Sequence, residues 1–239
     1  MKNARNEIIL HEDEFYILAS SPRVDDRTRV LREGESFAVF DRFGDTDLYG
    51  GGELGLFHEG TRFLSISTFR LFGRRALLLS STVREENDAM AVDLTNLDVH
   101  LEGNLLFSRG TIHVFRSKFL WNATCYERFS FRNFGLTPVD VPVSLRFDAD
   151  FADIFEVRGT RREKRGVRLP DEVGASHAVL TYRGLDGAVR RTRVQWSLRP
   201  VEVARGEASF DLRLAPGKEI ELTAMVRCEI EGQRRSHVV

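Results

Sequence analysis

Val141-Pro-Val-Ser-Leu-Arg-Phe-Asp-Ala-Asp-Phe151 alternates with a period of two. Val141, Val143, Leu145, Phe147, Ala149 and Phe151 share one parity, while Asp140, Ser144, Arg146, Asp148 and Asp150 share the other. Successive side chains leave a strand on opposite faces, so the run predicts a β-strand with one buried and one wet face. The wet face ends in two carboxylates, and Asp153, Glu156 and Arg158 follow before Gly159. Four acids in nine positions pose the question of catalysis or metal binding.

The same period recurs outward from this run. Residues 111–120 set Ile112 and Val114 against His113 and Arg116, then end in the apolar Phe119 and Leu120. Residues 123–131 place Cys125, Glu127, Phe129 and Phe131 opposite Tyr126, Arg128 and Ser130. Val194, Trp196 and Leu198 form another stripe, as do Ala208, Phe210, Leu212 and Leu214, and then Ile220, Leu222, Ala224, Val226 and Cys228. Such stripes belong to half-buried antiparallel strands, because parallel strands covered on both faces read as unbroken apolar runs.

The turn residues agree. Asp186-Gly187 is the dipeptide a type I′ hairpin prefers. Ala215-Pro-Gly-Lys218 joins the last two stripes, proline presetting φ and glycine free to take a positive one. No long amphipathic helix is predicted, and residues 170–176 read as a short helical or irregular connection. The fold class is therefore all-β: a large antiparallel β-sandwich (supersandwich-like) with short irregular or helical connections. The basic run near residues 160–173 interrupts the strand pattern, but the three C-terminal stripes make too thin a sheet to bury a core alone. One sandwich domain is expected over 15–231, with an N-terminal extension at 1–14 and a tail at 232–239.

With 35 Lys plus Arg against 36 Asp plus Glu in 239 residues, the chain has a formal charge of −1. No long-range field draws it to nucleic acid or an anionic membrane. A 42% apolar and 30% charged composition fits a soluble globular protein. Eighteen Phe against four Tyr and two Trp suit core filling better than a sugar-stacking platform. No segment reaches the roughly 20 apolar residues of a membrane helix, and the run Ile8-Ile-Leu10 is too short for a signal peptide. Cys125 and Cys228 are expected as free buried thiols, and the location as cytoplasmic.

Each candidate site has a plain structural reading beside the functional one. Asp148 and Asp150 on an extended strand stand roughly 7 Å apart by the strand rise. That is near the separation of paired carboxylates in glycosidases, yet same-face acids are common at solvated strand ends, where Arg158 and its neighbours would pair with them. The series also lacks the glycine and ligand positions of a calcium loop. The basic run from Arg158 to Arg168 reads as a solvated loop, since Glu163 interrupts it and no aromatics alternate with the arginines. Gly50-Gly51-Gly52 has no Gly-Lys-Ser/Thr after it, so a flexible hairpin end is expected. The six histidines show no metal-ligand spacing and no serine sits in a Gly-x-Ser-x-Gly elbow. No cofactor and no metal are predicted.

Four blocks together carry a family resemblance: Gly55-Leu-Phe-His-Glu-Gly-Thr-Arg-Phe-Leu-Ser65; Leu78-Leu-Ser-Ser-Thr-Val-Arg84 leading to Asp93-Leu-Thr-Asn-Leu-Asp98; Tyr126-Glu-Arg128 with Asn133; and 148–159 with its arginines. In order and spacing they resemble the N-terminal domain of bacterial and archaeal amylo-α-1,6-glucosidases, the glycogen-debranching-like proteins, from about Phe15 to Glu231. The resemblance implies a sandwich preceding a helical (α/α)-barrel that holds the hydrolytic acids. It therefore implies no catalytic residue in this chain, a helical-barrel catalytic domain as partner (on the same or a separate chain) and an α-glucan oligosaccharide as ligand. Thr61, Arg62, Asn96, Asp98, Asp150, Asp153, Glu156 and Arg158 are the implied substrate or interdomain contacts. One position departs from the pattern: many members carry an acid where Gly60 stands. Two alternatives stay open. One is a stand-alone carbohydrate-binding module using Trp121, Trp196, Tyr126 or Tyr182. The other is a small glycosidase using the acids of 148–156.

Overall fold

The computed structural model describes residues 28–47, 52–204 and 206–232, together with the backbone of two short strands at 8–11 and 14–17. Most of the 1–14 extension, Gly50-Gly51 and residues 233–239 lie outside the described residues. In chain order the first strands are β1 (Ile8–His11), β2 (Glu14–Ile17), β3 (Thr28–Glu33), β4 (Ser36–Asp41), β5 (Gly55–His58), β6 (Thr61–Leu64) and β7 (Ile66–Leu71). Then come β8 (Leu77–Val83), β9 (Ala89–Thr95), β10 (Val99–Leu101), β11 (Asn104–Phe107), β12 (Ile112–Trp121), β13 (Thr124–Asn133) and β14 (Val139–Asp148). A single-turn helix, α1 (Ile154–Val157), precedes β15 (Val167–Val173), β16 (His177–Arg183), β17 (Val189–Trp196), β18 (Glu202–Ala204), β19 (Glu207–Leu214) and β20 (Glu219–Glu231).

Every strand pairing is antiparallel, as the alternation requires. One layer is an eight-stranded sheet in the order β15-β16-β17-β20-β13-β12-β9-β8. The facing layer holds two four-stranded sheets, β18-β19-β14-β7 and β3-β4-β5-β6. A continuous apolar cluster fills the space between the layers, with Phe40, Phe63, Phe69, Phe129, Phe131 and Phe210 at its centre. The predicted parity of β14 holds: Val139, Val141, Val143, Leu145 and Phe147 are buried while Asp140, Arg146 and Asp148 are exposed. Trp196 lies in the core between Phe147 and Phe210. Cys125 and Cys228 are free and buried on neighbouring strands. Burial pushes the Cys125 thiol up to about 11, and Cys228 is raised for the same reason.

Three local readings are corrected. Arg116 belongs to the inner face with Ile112 and Val114, and Lys118 and Leu120 continue that buried stripe. Parity alone demanded this; the charge argued the other way and lost, because carboxylates wait inside. Residues 167–173 form a strand on the sheet edge, the ladder slipping between Leu169 and Glu172. Pro170 sits in that slip, where its missing N–H breaks no ladder bond. The β16–β17 connection is a five-residue loop, Gly184 to Ala188, not a two-residue type I′ turn: Gly187 has φ +78° and Asp186 is not in the left-handed region. The Asp186 carboxylate accepts from the Ala188 and Arg190 side of the loop and holds it.

Candidate functional site

After Asp148 the chain turns, with Phe151 at φ +51°, and the next residues are stitched to the β5–β6 hairpin. The Arg62 N–H donates to the Ala152 carbonyl (2.8 Å), Ile154 N–H donates to Gly60 O (2.9 Å), and Thr61 bridges Asp153. The hairpin tip, Glu59-Gly60, has positive φ at both residues (45° and 73°), the geometry of a type I′ turn. Two of the sequence blocks are thereby joined at one end of the sandwich.

Arg62 is the hub, its side chain only 6% exposed. Its Nε and Nη2 donate to the two oxygens of Asp150 (3.0 and 2.5 Å), and Nη1 donates to the carbonyls of Gly52 (2.5 Å) and Leu54 (3.2 Å). Charge-assisted, bidentate hydrogen bonds of this kind are roughly twice as strong as neutral ones and fix the geometry of both partners. Gly55 leaves room for its stem: a Cβ there would meet Arg62 Cδ at 2.5 Å and Leu64 O at 2.8 Å.

The other acids are fastened in turn. Asp153 caps α1, its Oδ1 accepting from Phe155 N–H (2.8 Å) and Glu156 N–H (2.9 Å), while Glu156 Oε2 accepts from Asp153 N–H (3.0 Å). This reciprocal box satisfies donors that a helix start leaves open. The second Asp153 oxygen takes Arg162 through Nε (2.9 Å) and Nη2 (2.6 Å). Glu156 pairs with Arg165 (3.0 Å), and Arg168 reaches Asp171 (2.9 Å), Asp148 (3.4 Å) and the Ala149 carbonyl. Asp148 and Asp150 are thus drawn to different arginines. Partial burial opposes the Asp153 charge, but the hydrogen bonds from Glu156 N–H, Arg162 and Phe155 N–H outweigh it and hold the carboxyl below its ordinary range. A glycosidase general acid needs the opposite shift.

Beside this network lies an open cleft of about 310 Å³ lined in part by Thr61, Asp153, Glu156, Arg162, Lys164 and Arg190. Its floor includes Phe151 stacked on Tyr182 (centroids 5.3 Å apart, planes 7° from parallel). The Tyr182 hydroxyl accepts from Gly166 N–H at 2.7 Å. Arg190 is forked onto Asp186 (3.1 and 2.7 Å), and its buried Nε has no partner among the described residues. The hydrogen bond from Arg190 lowers the Asp186 pKa and Asp186 raises that of Arg190.

Not all eight predicted contacts meet here. Thr61, Arg62, Asp150, Asp153 and Glu156 do. Arg158 caps the end of α1 with its backbone, and its exposed side chain has no ion pair or hydrogen bond among the described residues. Asn96 and Asp98 sit at the opposite end of the sandwich, beyond the Thr95–His113 end of the large sheet. Asn96 accepts from Ile112 N–H (2.7 Å) and donates to Leu97 O (2.6 Å) and Ser108 O (3.0 Å), while Asp98 accepts from Arg109 N–H (2.6 Å). They close the base of the β10–β11 hairpin.

A second buried network escaped the sequence. Arg116 donates through Nε to Glu127 (2.5 Å) and through Nη1 to Asp45 (2.6 Å) and Phe43 O (2.6 Å), and Lys118 joins Glu127 at 2.9 Å. The loop carrying Gly44 lies directly on it; a Cβ at Gly44 would touch Arg116 and Lys118 at 3.3 Å. Burial works against the Glu127 charge, but Arg116 and Lys118 outweigh it and lower the pKa. For Asp45 burial wins over Arg116 and the pKa is raised. The legible signal was a glutamate inside an apolar stripe, with an arginine on the buried parity of the neighbouring strand. Among the described residues no group of three or more His, Cys, Asp or Glu is placed to hold a metal, and no helix is long and apolar enough to cross a membrane.

Fold comparison first defines the class. A human-microbiome protein assigned as a kojibiose phosphorylase superposes with a TM-score of 0.54 at 12% identity, over 87% of this chain and 31% of that one. The Slr1438 protein of Synechocystis sp. PCC 6803 gives 0.51 at 10% identity, over 90% of this chain and 100% of that one. These likenesses establish a shared large β-sandwich and nothing finer. This chain spans about a third of the phosphorylase's length. No curated protein sequence matches the chain. Residues 31–225 match the family described as the N-terminal domain of (some) glycogen debranching enzymes, and the chain belongs to that family.

Proposed function

We propose that this chain is a non-catalytic N-terminal β domain of an amylo-α-1,6-glucosidase-type glycoside hydrolase. It packs on an (α/α)-barrel catalytic domain and turns the loop at 158–166 toward the α-glucan cleft. The observation that carries the reading is the state of the acids. Asp150, Asp153 and Glu156 are each committed to an arginine or a helix cap, so they brace a surface. The open cleft beside them presents guanidinium and ammonium donors suited to sugar hydroxyls.

The binding-module reading is weaker. Of its four aromatics, Trp196 is core and Tyr182 is stacked on Phe151. Tyr126 is stacked on Phe119 (4.8 Å, planes 7° apart), which takes up one face of each ring. Of the four, only Trp121 stands largely open, at 64% exposure.

The test is hydrolysis of isomaltose, panose and glycogen limit dextrin by the purified chain, alone and with its catalytic barrel. No release of glucose is expected from the chain alone. Release that disappears in Asp150→Asn or Glu156→Gln would transfer catalysis to this chain and end the proposal.

A further inference from the structure

The last strand, β20, runs from Glu219, paired beside Arg132, to Glu231, paired beside Val189. Gly232 then abuts the β16–β17 loop: a Cβ on it would lie 3.9 Å from Ala188 Cα and from Gly187 O. That loop is also a wall of the cleft, through Gly184, Leu185 and Asp186. The polypeptide therefore leaves the sandwich at the rim of the cleft. Thirteen residues of β20 separate this end from the other, about 40 Å at the strand rise.

Two further observations fall on the same end. Leu185, on the loop, is 69% exposed and Phe155, on α1, is 59% exposed. The segment after α1 carries Arg158, Arg161 and Lys164, all exposed and with no ion pair among the described residues, and one acid in the same state, Glu163, whereas Arg162, Arg165 and Arg168 are neutralised by Asp153, Glu156, Asp148 and Asp171. The rim is thus apolar at two points and carries an excess of positive charge, three free cations against Glu163, next to the residues that the Arg62 network braces.

Resting on the function proposed above, we infer that the α1 and β16–β17 rim is the docking surface for the domain that follows Gly232. Phe155 and Leu185 are its apolar anchors, and Arg158, Arg161 and Lys164 meet carboxylates on the partner. The contact roofs the cleft, so one wall of the bound glucan's site comes from this chain. The β10–β11 hairpin also exposes leucines (Leu101, Leu105 and Leu106), but it stands at the far end from the exit and is the competing surface.

The test places a photo-crosslinking residue at Phe155, Leu185, Leu105 or Trp121 in the polypeptide as its own cells make it, with crosslinked peptides read by mass spectrometry. Crosslinks from 155 and 185 to sequence beyond Gly232, with none from 105, support the assignment. Crosslinks from 105 or 121 alone, or none from any position in a protein that carries the second domain and debranches, overturn the docking surface and leave the function standing. A native product of 27.3 kDa with no helical partner captured and no debranching overturns the function itself. With the domains supplied separately, Arg158→Glu, Arg161→Glu and Lys164→Glu together should weaken association about tenfold or more, with the salt dependence of the remaining binding reduced. Unchanged affinity would remove the charge contribution.

Discussion

Among the described residues the fold buries two arginines, and they are buried for different ends. Arg116 lies mid-strand, 1% exposed, enclosed by Asp45, Glu127, the Phe43 carbonyl and the rings of Phe69 and Phe129. Its direct partners are buried, although Asp45 also takes the part-exposed Arg70 (3.6 Å) and Arg75 (3.5 Å), and Nη2 is left without a partner among the described residues. Arg62 lies at the end of its strand, with Nε, Nη1 and Nη2 all satisfied, and its carboxylate partner is still 28% exposed. The first network joins the two layers of the sandwich. The second braces a surface on which something else can be set. Burial of a charge is therefore no sign of function by itself; what separates the two is that the residues flanking the Arg62–Asp150 pair, Thr61 and Asp153, line a cleft.

The comparison can be broken by mutation. Glu127→Ala leaves Arg116 and Lys118 buried together without their shared carboxylate, and a loss of about 3–5 kcal/mol is expected in urea unfolding. If the variant is too unstable to purify, Arg116→Met with Lys118→Met, Glu127→Leu and Asp45→Asn should recover most of the stability, since neutral groups can replace a whole buried ion cluster at little cost while the new amide oxygen still accepts from the Phe69 N–H. Asp150→Ala should cost less, about 2–3 kcal/mol, because Arg62 keeps two carbonyl partners and has water nearby. Equal losses at the two sites would erase the distinction drawn between them.

Acid sharpens it further. The Glu127 pKa is lower in the folded than in the unfolded chain, so its stabilisation is present above the ordinary carboxylate range and is lost as pH falls through the folded value. The stability gap between the native chain and Glu127→Gln should accordingly be widest near neutrality and shrink in acid. A gap that does not change with pH would mean that shape, not charge, is what Glu127 supplies.

The smallest effect is local. Asp153→Ala removes the cap of α1 and a partner of Arg162, worth about 1 kcal/mol. It should appear as faster amide exchange at Phe155 and Glu156, with the core strands unchanged. Loss of global stability instead would make α1 part of the main cooperative unit.

The strands were legible because alternation is local. Residues 139–148, 207–214 and 219–231 bury the predicted parity, and Trp196 went to the core as its stripe required. The Asp153-x-x-Glu156 spacing is that of a helix-start box but goes unread in the sequence, because α1 is a single turn, too short to show periodicity. Arg116 was misjudged because its charge was weighed above its parity. Asn96 and Asp98 share a family block with β8 and β9, yet they hold a hairpin base at the end remote from the cleft.

Sequence by itself determined the layer architecture, since a period of two is set by each residue's own neighbours, and it marked out the acids and arginines of 148–168 as a unit. Tertiary structure alone decided their partners. Arg62 and Asp150 are 88 residues apart, and Arg116 and Asp45 are 71 apart. Whether a carboxylate is a catalyst or a brace depends on which charge folding brings within about 3 Å of it, and no local pattern encodes that distance.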